Sequence, residues 1–332
     1  MTSRPRIGSP RSTVLLTLLI AASLIVAPFV LSGQYIAALV LAAIYTVITA
    51  GLNLFMGYTG QISFGHNAFA ALGGYGSAIL AMRLDLTPVL TTAMAAAGAA
   101  AIALVIGYPT LRLRGHYLAM ATLALGLMAF EVASQWKSMT QGLFGISAIP
   151  PLGIGAWELA SDTSFYVAYW IVAGIAIWVT HRLYHSRTGF ALRSIAGNEE
   201  AAQSLGIDVA RYKLLAFVVS AVFASVGGSM FAHYVTYISP EVFGLYMMIL
   251  LFTMLFVGGI NTTFGPLIGA IVITLFPELL RRFNSARELL YGVVLLVILL
   301  FAPRGIYGLI AAFERWRRAR GSADAALPDA RS

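Results

Sequence analysis

Cysteine is absent from the 332 residues, which excludes disulfides and thiolate metal sites. Charge is scarce: Asp, Glu, Lys and Arg make up 10% of the chain, against about 25% in a soluble domain. A surface with so few charges cannot be kept in water, so lipid is the expected solvent for most of this protein. Motifs are missing as well. No G-x-x-x-x-G-K-[ST] occurs, so the chain does not itself cradle ATP phosphates. No G-x-S-x-G, H-E-x-x-H or paired catalytic histidine pattern occurs, and the expectation is that the chain is not an enzyme. An ion-coupled secondary transporter carries ionisable groups near mid-membrane. Here Asp85, Glu131, Glu241 and Glu278 all fall near the ends of apolar runs.

The runs themselves are plentiful. The chain is 59% hydrophobic with mean hydropathy +0.85. Stretches long enough to cross a bilayer occur at 13–31, 35–56, 66–82, 88–108, 116–134, 164–182, 213–234, 244–260, 265–280 and 287–302. The expected fold class is all-α: a polytopic transmembrane helical bundle of about ten spans. Arg4, Arg6 and Arg11 precede the first run, which has no small-x-small cleavage site after it and is read as a retained span. With both termini cytoplasmic, most basic residues fall inside. Those are Arg4, Arg6 and Arg11; Arg112 and Arg114; Arg182, Arg187, Arg193, Arg211 and Lys213; and Arg304, Arg315, Arg317, Arg318, Arg320 and Arg331. Arg83, Lys137 and the cluster Arg281, Arg282 and Arg287 are left outside, the cluster being a local misfit.

The remaining segments divide the chain. Residues 1–12 form a cytoplasmic tail and 13–304 the transmembrane domain. Within it, 135–163 is an external loop rich in Gly and Pro, and 183–212 is a cytoplasmic loop. Residues 305–320 pattern as an amphipathic helix on the inner surface, with Ile306, Leu309, Ile310 and Phe313 ahead of Arg315, Arg317 and Arg318. Residues 321–332 form a disordered tail.

Two stretches carry chemistry. The first is GYTGQISFGHNAF (57–69), polar and glycine-rich among apolar runs. Gly57, Gly60 and Gly65 let helix backbones approach closely, or let a helix break beside a path. Gln61, Ser63, His66 and Asn67 supply partners for the freed backbone groups, and Asn261 and Thr262 repeat that chemistry ahead of Phe264-Gly265. Helix packing and a translocation path are both open readings of this set. His66 has no second histidine or carboxylate at ligand spacing, so its expected role is structural, with no metal. The second stretch is the loop SRTGFALRSIAGNEEAAQSLGIDVARYK (186–213). Asn198 suits an N-cap, Glu199 and Glu200 the first turn, and Gly206 a left-handed stop. A capped helix of about two turns is expected over 198–206, too short to span anything and marginal unless docked.

GNEEAAQSLGI (197–207) resembles the coupling-loop motif of ABC importer permeases, in which glycine is followed by Ala-Ala and then Gly-Ile. GYTGQISFGHNAFAALGGYGSAIL (57–80), SPEVFGLYMMILLFTMLFVGGINTTFGPLIGA (239–270) and LLFAPRGIYGLI (299–310) are similar to the permeases of branched-chain amino acid importers, most of all to their M-type subunit. The resemblance covers roughly 35–310. It implies a multi-pass permease of a bacterial inner membrane that moves branched-chain or related amino acids by alternating access. It also implies partners: a second, homologous permease chain, two ATP-binding cassette subunits and a periplasmic solute-binding protein. ATP is then used by those subunits, and this chain has no cofactor of its own. Gly197, Asn198, Glu199, Ala201, Ala202, Gly206 and Ile207 become the ATPase-coupling residues, with Gly197 as a turn and the alanines allowing close approach. The same permease class importing urea, short amides or aromatic acids is the alternative, with a secondary transporter behind it.

Overall fold

A computed structural model describes residues 33–154, 157–159 and 161–279, with isolated positions at 292, 305, 306 and 308. The expected tail 1–12, the spans 13–31 and 287–302, the Arg281–Arg287 cluster, most of the interfacial helix 305–320 and the tail 321–332 lie outside the described residues.

Eleven helices are described. They are α1 (Gly33–Leu52), α2 (His66–Leu84), α3 (Pro88–Thr110), α4 (His116–Gln135), the single turn α5 (Lys137–Thr140), α6 (Asp162–Tyr184), α7 (Arg187–Gly197), α8 (Glu199–Ser204), α9 (Val209–Val235), α10 (Leu245–Gly258) and α11 (Gly265–Leu279). α1 runs on through a π-helical turn, Asn53–Gly57. Six helices are long and apolar enough to cross a membrane, counting α1 with its π turn and α10 with the preceding 3-10 turn at Pro240; α11 is apolar but shorter. The protein is therefore a multi-pass helical membrane protein. α2 is as long as a span but stands outside the six, because it opens with His66 and Asn67 and carries three glycines. Its surroundings explain why that is tolerated. α2 is enclosed by α3, α4 and α9, so little of it must be compatible with lipid.

The packing that fixes α2 is backbone against backbone. A Cβ on Gly73 would lie 1.9 Å from the Ser225 carbonyl oxygen, and one on Gly228 would lie 1.9 Å from that of Ala70. Ser229 donates a hydrogen bond to the Gly73 carbonyl at 2.9 Å. Small residues here replace side-chain interdigitation with direct contact of two helix backbones. α10 and α11 meet the same way, Gly269 against the Met254 carbonyl and Gly258 against that of Gly265. α1 completes the centre, packed on α6, α9 and α11.

The bundle has two unlike ends. One gathers the 136–161 loop. The expectation of an all-α chain meets four two-residue strands here: β1 (Ile146–Ser147), β2 (Gly153–Ile154), β3 (Trp157–Glu158) and β4 (Tyr237–Ile238). β1 pairs with β4, Ile146 opposite Ile238, and β2 with β3. The loop is pinned to the helix ends. His233 Nδ1 donates to the Pro150 carbonyl at 2.7 Å and Nε2 accepts from Ser77 Oγ at 2.6 Å, while Arg83 reaches the Ser138 carbonyl. The other end gathers residues 58–65, 111–115, 185–208 and 259–264. Gly305 lies at that second end too, where its Cβ would be 2.5 Å from the Gly259 Cα.

Candidate functional site

The 186–213 loop folds into two short helices, each started by a side-chain cap. Ser186 accepts from Gly189 N at 3.2 Å to open α7, and Asn198 accepts from Ala201 N at 3.0 Å to open α8. Asp208 then accepts from Arg211 N at 3.1 Å to open α9. These polar caps satisfy N–H groups that the turn leaves free. Ser186 and Asp208 were as legible as Asn198, since Ser and Asp are favoured caps, yet only Asn198 was expected to act as one. α8 ends in a Schellman closure. Gly206 has φ +83, its N–H reaches the Gln203 carbonyl, and Ile207 N–H reaches that of Ala202. α8 is thus shorter than the 198–206 expectation, with the extra residues serving as its caps. Gly197 differs from expectation as well. It is the last residue of α7 rather than the turn, and the break falls at the extended Asn198.

Two contacts hold this loop to the bundle. Tyr58, at the end of α1, packs on Tyr184, with ring centroids 4.8 Å apart, and the Arg193 guanidinium lies 4.2 Å over the Tyr184 ring. The second contact centres on Glu199. Lys213 Nζ is 2.5 Å from Glu199 Oε1, Gln61 Nε2 donates to Oε1 at 2.9 Å, and Arg114 Nε lies 3.6 Å from Oε2. Arg114 also reaches Glu200 at 3.7 Å. Neither Lys213 nor Arg114 was among the expected site residues. The only cue was that each is a basic residue at the start of an apolar run, Arg114 just before 116–134 and Lys213 opening 213–234.

The two sides of α8 differ. Ala202 is 2% exposed and faces its own domain. Of the two alanines expected to allow close approach to a partner, Ala201 is exposed and Ala202 is packed inside. Leu205, absent from the expected set, is 81% exposed at the loop tip, where an apolar side chain gains nothing from water. Ile207 is half-buried.

The glycine-rich stretch lies at the same end. Gly60 has φ +70, and its Cβ would be 3.3 Å from Ala196 in α7; Gln61 is the residue that bonds Glu199. The Gly65 Cβ would lie 2.6 Å from the Thr122 carbonyl, and the Phe64 amide donates to Thr122 Oγ1 at 3.0 Å. Gly57 is used for close approach to Asn53 and Asn261. The His66 ring is buried near Phe55, its Nδ1 3.4 Å from Ser63 Oγ. Asn67 Nδ2 donates to the Phe243 carbonyl at 2.9 Å. Asn261 and Thr262 belong to the α10–α11 turn, which Asn53 clasps: Asn53 Nδ2 donates to the Thr262 carbonyl at 2.8 Å, and its Oδ1 accepts from Asn261 N at 2.9 Å. Asn53 was missed, although an amide inside an apolar run signals a buried partner. Glycine contacts and these hydrogen bonds pack the stretch against its neighbours, while among the described residues His66 Nε2 and Asn67 Oδ1 are buried without a hydrogen-bond partner. Among the described residues, no group of His, Asp or Glu is placed to hold a metal ion.

A family model described as "Branched-chain amino acid transport system / permease component" matches residues 34–303. The chain is 30% identical over 89% of its length to the high-affinity branched-chain amino acid transport system permease protein LivM of Escherichia coli K12, covering 76% of that protein. It is 29% identical over 81% of its length to the corresponding permease protein LivH of the same strain, covering 92%. It is also 26% identical over 87% of its length to the autoinducer 2 import system permease protein LsrC of an Enterobacter strain, covering 80%. No solved structure matches.

Proposed function

The chain belongs to the family of branched-chain amino acid transport system permease components, and on that premise we propose that it is the M-type permease subunit of a bacterial ABC importer for branched-chain amino acids. It lines one side of a path through the inner membrane. A second, homologous permease chain lines the other side. LivM and LivH, two permease proteins of one strain that both resemble this chain, support a partner of that kind. Two ATPase subunits dock on the end that carries α8, and a solute-binding protein docks on the end that carries the β1–β4 and β2–β3 pairs.

The observation that carries the coupling part is α8 itself. A six-residue helix is not stable alone in water. Here it is capped at both ends and fixed along one side by Glu199 and Ala202, while Ala201, Glu200 and Leu205 stand open on the other. A rigid, exposed helix anchored in a membrane domain suits transmission of force from a soluble partner. ATP binding shifts the permease pair between inward-open and outward-open forms only insofar as the ATPase grips the two forms unequally.

The test is uptake of labelled leucine in cells with and without the gene, with urea, aromatic acids and autoinducer 2 as competitors. Loss of saturable leucine uptake on deletion, restored by the gene, is expected. Unchanged leucine uptake in a strain lacking other leucine importers refutes the substrate assignment. Failure of any ATPase chain to co-purify refutes the importer class in favour of a secondary transporter.

A further inference from the structure

Glu199 opens the exposed helix α8, yet its carboxylate turns inward: its side chain is 19% exposed, against 83% for the neighbouring Glu200. It meets three separate parts of the membrane domain. These are Lys213 in the first turns of α9, Gln61 in the segment leading into α2, and Arg114 between α3 and α4. Lys213 is 2% exposed. An ammonium so placed has exchanged water for its carboxylate partner, and pulling the two apart strands a buried charge. The pair therefore resists separation more stiffly than a neutral or solvated contact would. α9 and α2 are in turn interlocked through Gly73, Ser225, Gly228 and Ala70. The helix that holds Lys213 and the helix that follows Gln61 thus belong to one backbone-packed unit.

We propose that Glu199 is the positioning residue of the coupling loop, with Lys213 its required counter-charge, and that this pair carries displacement of α8 into α9 and α2. The inference rests on the coupling role of α8 given above. Glu199 thereby acts toward its own membrane domain, while Leu205, Glu200 and Ala201 are left to meet the ATPase. A charge pair that merely folded the loop would predict a different outcome, which the double variant separates.

The experiment uses the full complex in proteoliposomes, with both permease chains, the ATPase chains, the binding protein and leucine. E199Q, K213M and the double variant E199Q/K213M are compared for retained ATPase chains, Tm, and leucine transported per ATP hydrolysed. E199Q is expected to lower Tm, because Lys213 is left buried without its counter-charge. The double variant recovers Tm, because no buried charge remains. In all three the ATPase chains stay bound, and leucine moved per ATP falls at least about tenfold, within the range of ordinary coupling energies. Recovery of wild-type leucine per ATP in the double variant overturns the inference, since stability alone would then have been at stake. Loss of the ATPase chains from E199Q but not from K213M overturns it also, by placing Glu199 on the partner. A wild-type complex without ATPase chains overturns the coupling reading and this inference together, and is recognised because it shows before any substitution.

Discussion

Alanine at Gly73 or Gly228 should be among the most damaging one-carbon changes in the bundle. Each added Cβ would sit 1.9 Å from a carbonyl oxygen of the facing helix. Ordinary contact begins near 3.4 Å, so α2 and α9 must part by about 1.5 Å at the crossing. Overpacking of this kind costs about 1–3 kcal/mol. At Gly73 the hydrogen bond from Ser229 is stretched as well, and such bonds between membrane helices are worth about 0.6 kcal/mol on average. The two contributions together come to about 2–4 kcal/mol for Gly73→Ala. The structure supplies its own controls. At Gly98 in α3 and Gly174 in α6 an added Cβ would meet no atom within 4 Å, and there alanine gains about 0.4–1 kcal/mol from reduced chain entropy and better helix propensity. The assay is thermal unfolding of the four purified single variants in one detergent. Gly73→Ala and Gly228→Ala should melt well below the wild type, while Gly98→Ala and Gly174→Ala melt at or above it. Equal melting of all four would refute the backbone-contact account of the α2–α9 crossing.

Asn53→Ala should cost about 1–3 kcal/mol, because the Thr262 carbonyl and the Asn261 amide lose their shared partner; faster hydrogen exchange confined to 259–264 would locate the loss, and unchanged exchange there would count against the clasp. Gly206→Val should weaken α8 by about 1–2 kcal/mol or more through φ +83 alone, since no atom lies near its Cβ position; transport should fall while span insertion stays intact, and full transport would show that the Schellman closure is dispensable. Leu205→Asp and Ala202→Trp should part company: the first removes ATPase co-purification without changing Tm, because Leu205 is open, whereas the second lowers Tm, because Ala202 is packed against its own domain. Identical behaviour of the two would contradict the two-sided reading of α8.

Much of this protein could be read before folding. Low charge and recurring apolar runs dictate a multi-pass helical protein, because only helices and closed barrels satisfy backbone polar groups in lipid and barrel strands are short and alternating rather than continuously apolar. The cap at Asn198 and the stop at Gly206 were legible because capping chemistry is local, decided within four residues by one side chain or one φ angle. The three motif blocks carried the family, which the match over 34–303 bears out. What periodicity could not supply was anything set by residues far apart in the chain. α2 reads as a span by length, but its polarity is tolerable only because α3, α4 and α9 surround it. The same apolar face serves lipid or protein, so the alanines of α8 looked alike until packing turned Ala202 inward and left Ala201 outside. Glu199 looked like a helix-dipole residue. Only the fold brought Gln61, 138 positions away, and the buried Lys213 to the same carboxylate. The reason is that sequence fixes which groups need partners, through desolvation and unpaired backbone, whereas which partner each group finds depends on how the helices cross, and the α2–α9 crossing is set by glycine-to-carbonyl contacts across segments more than a hundred residues apart.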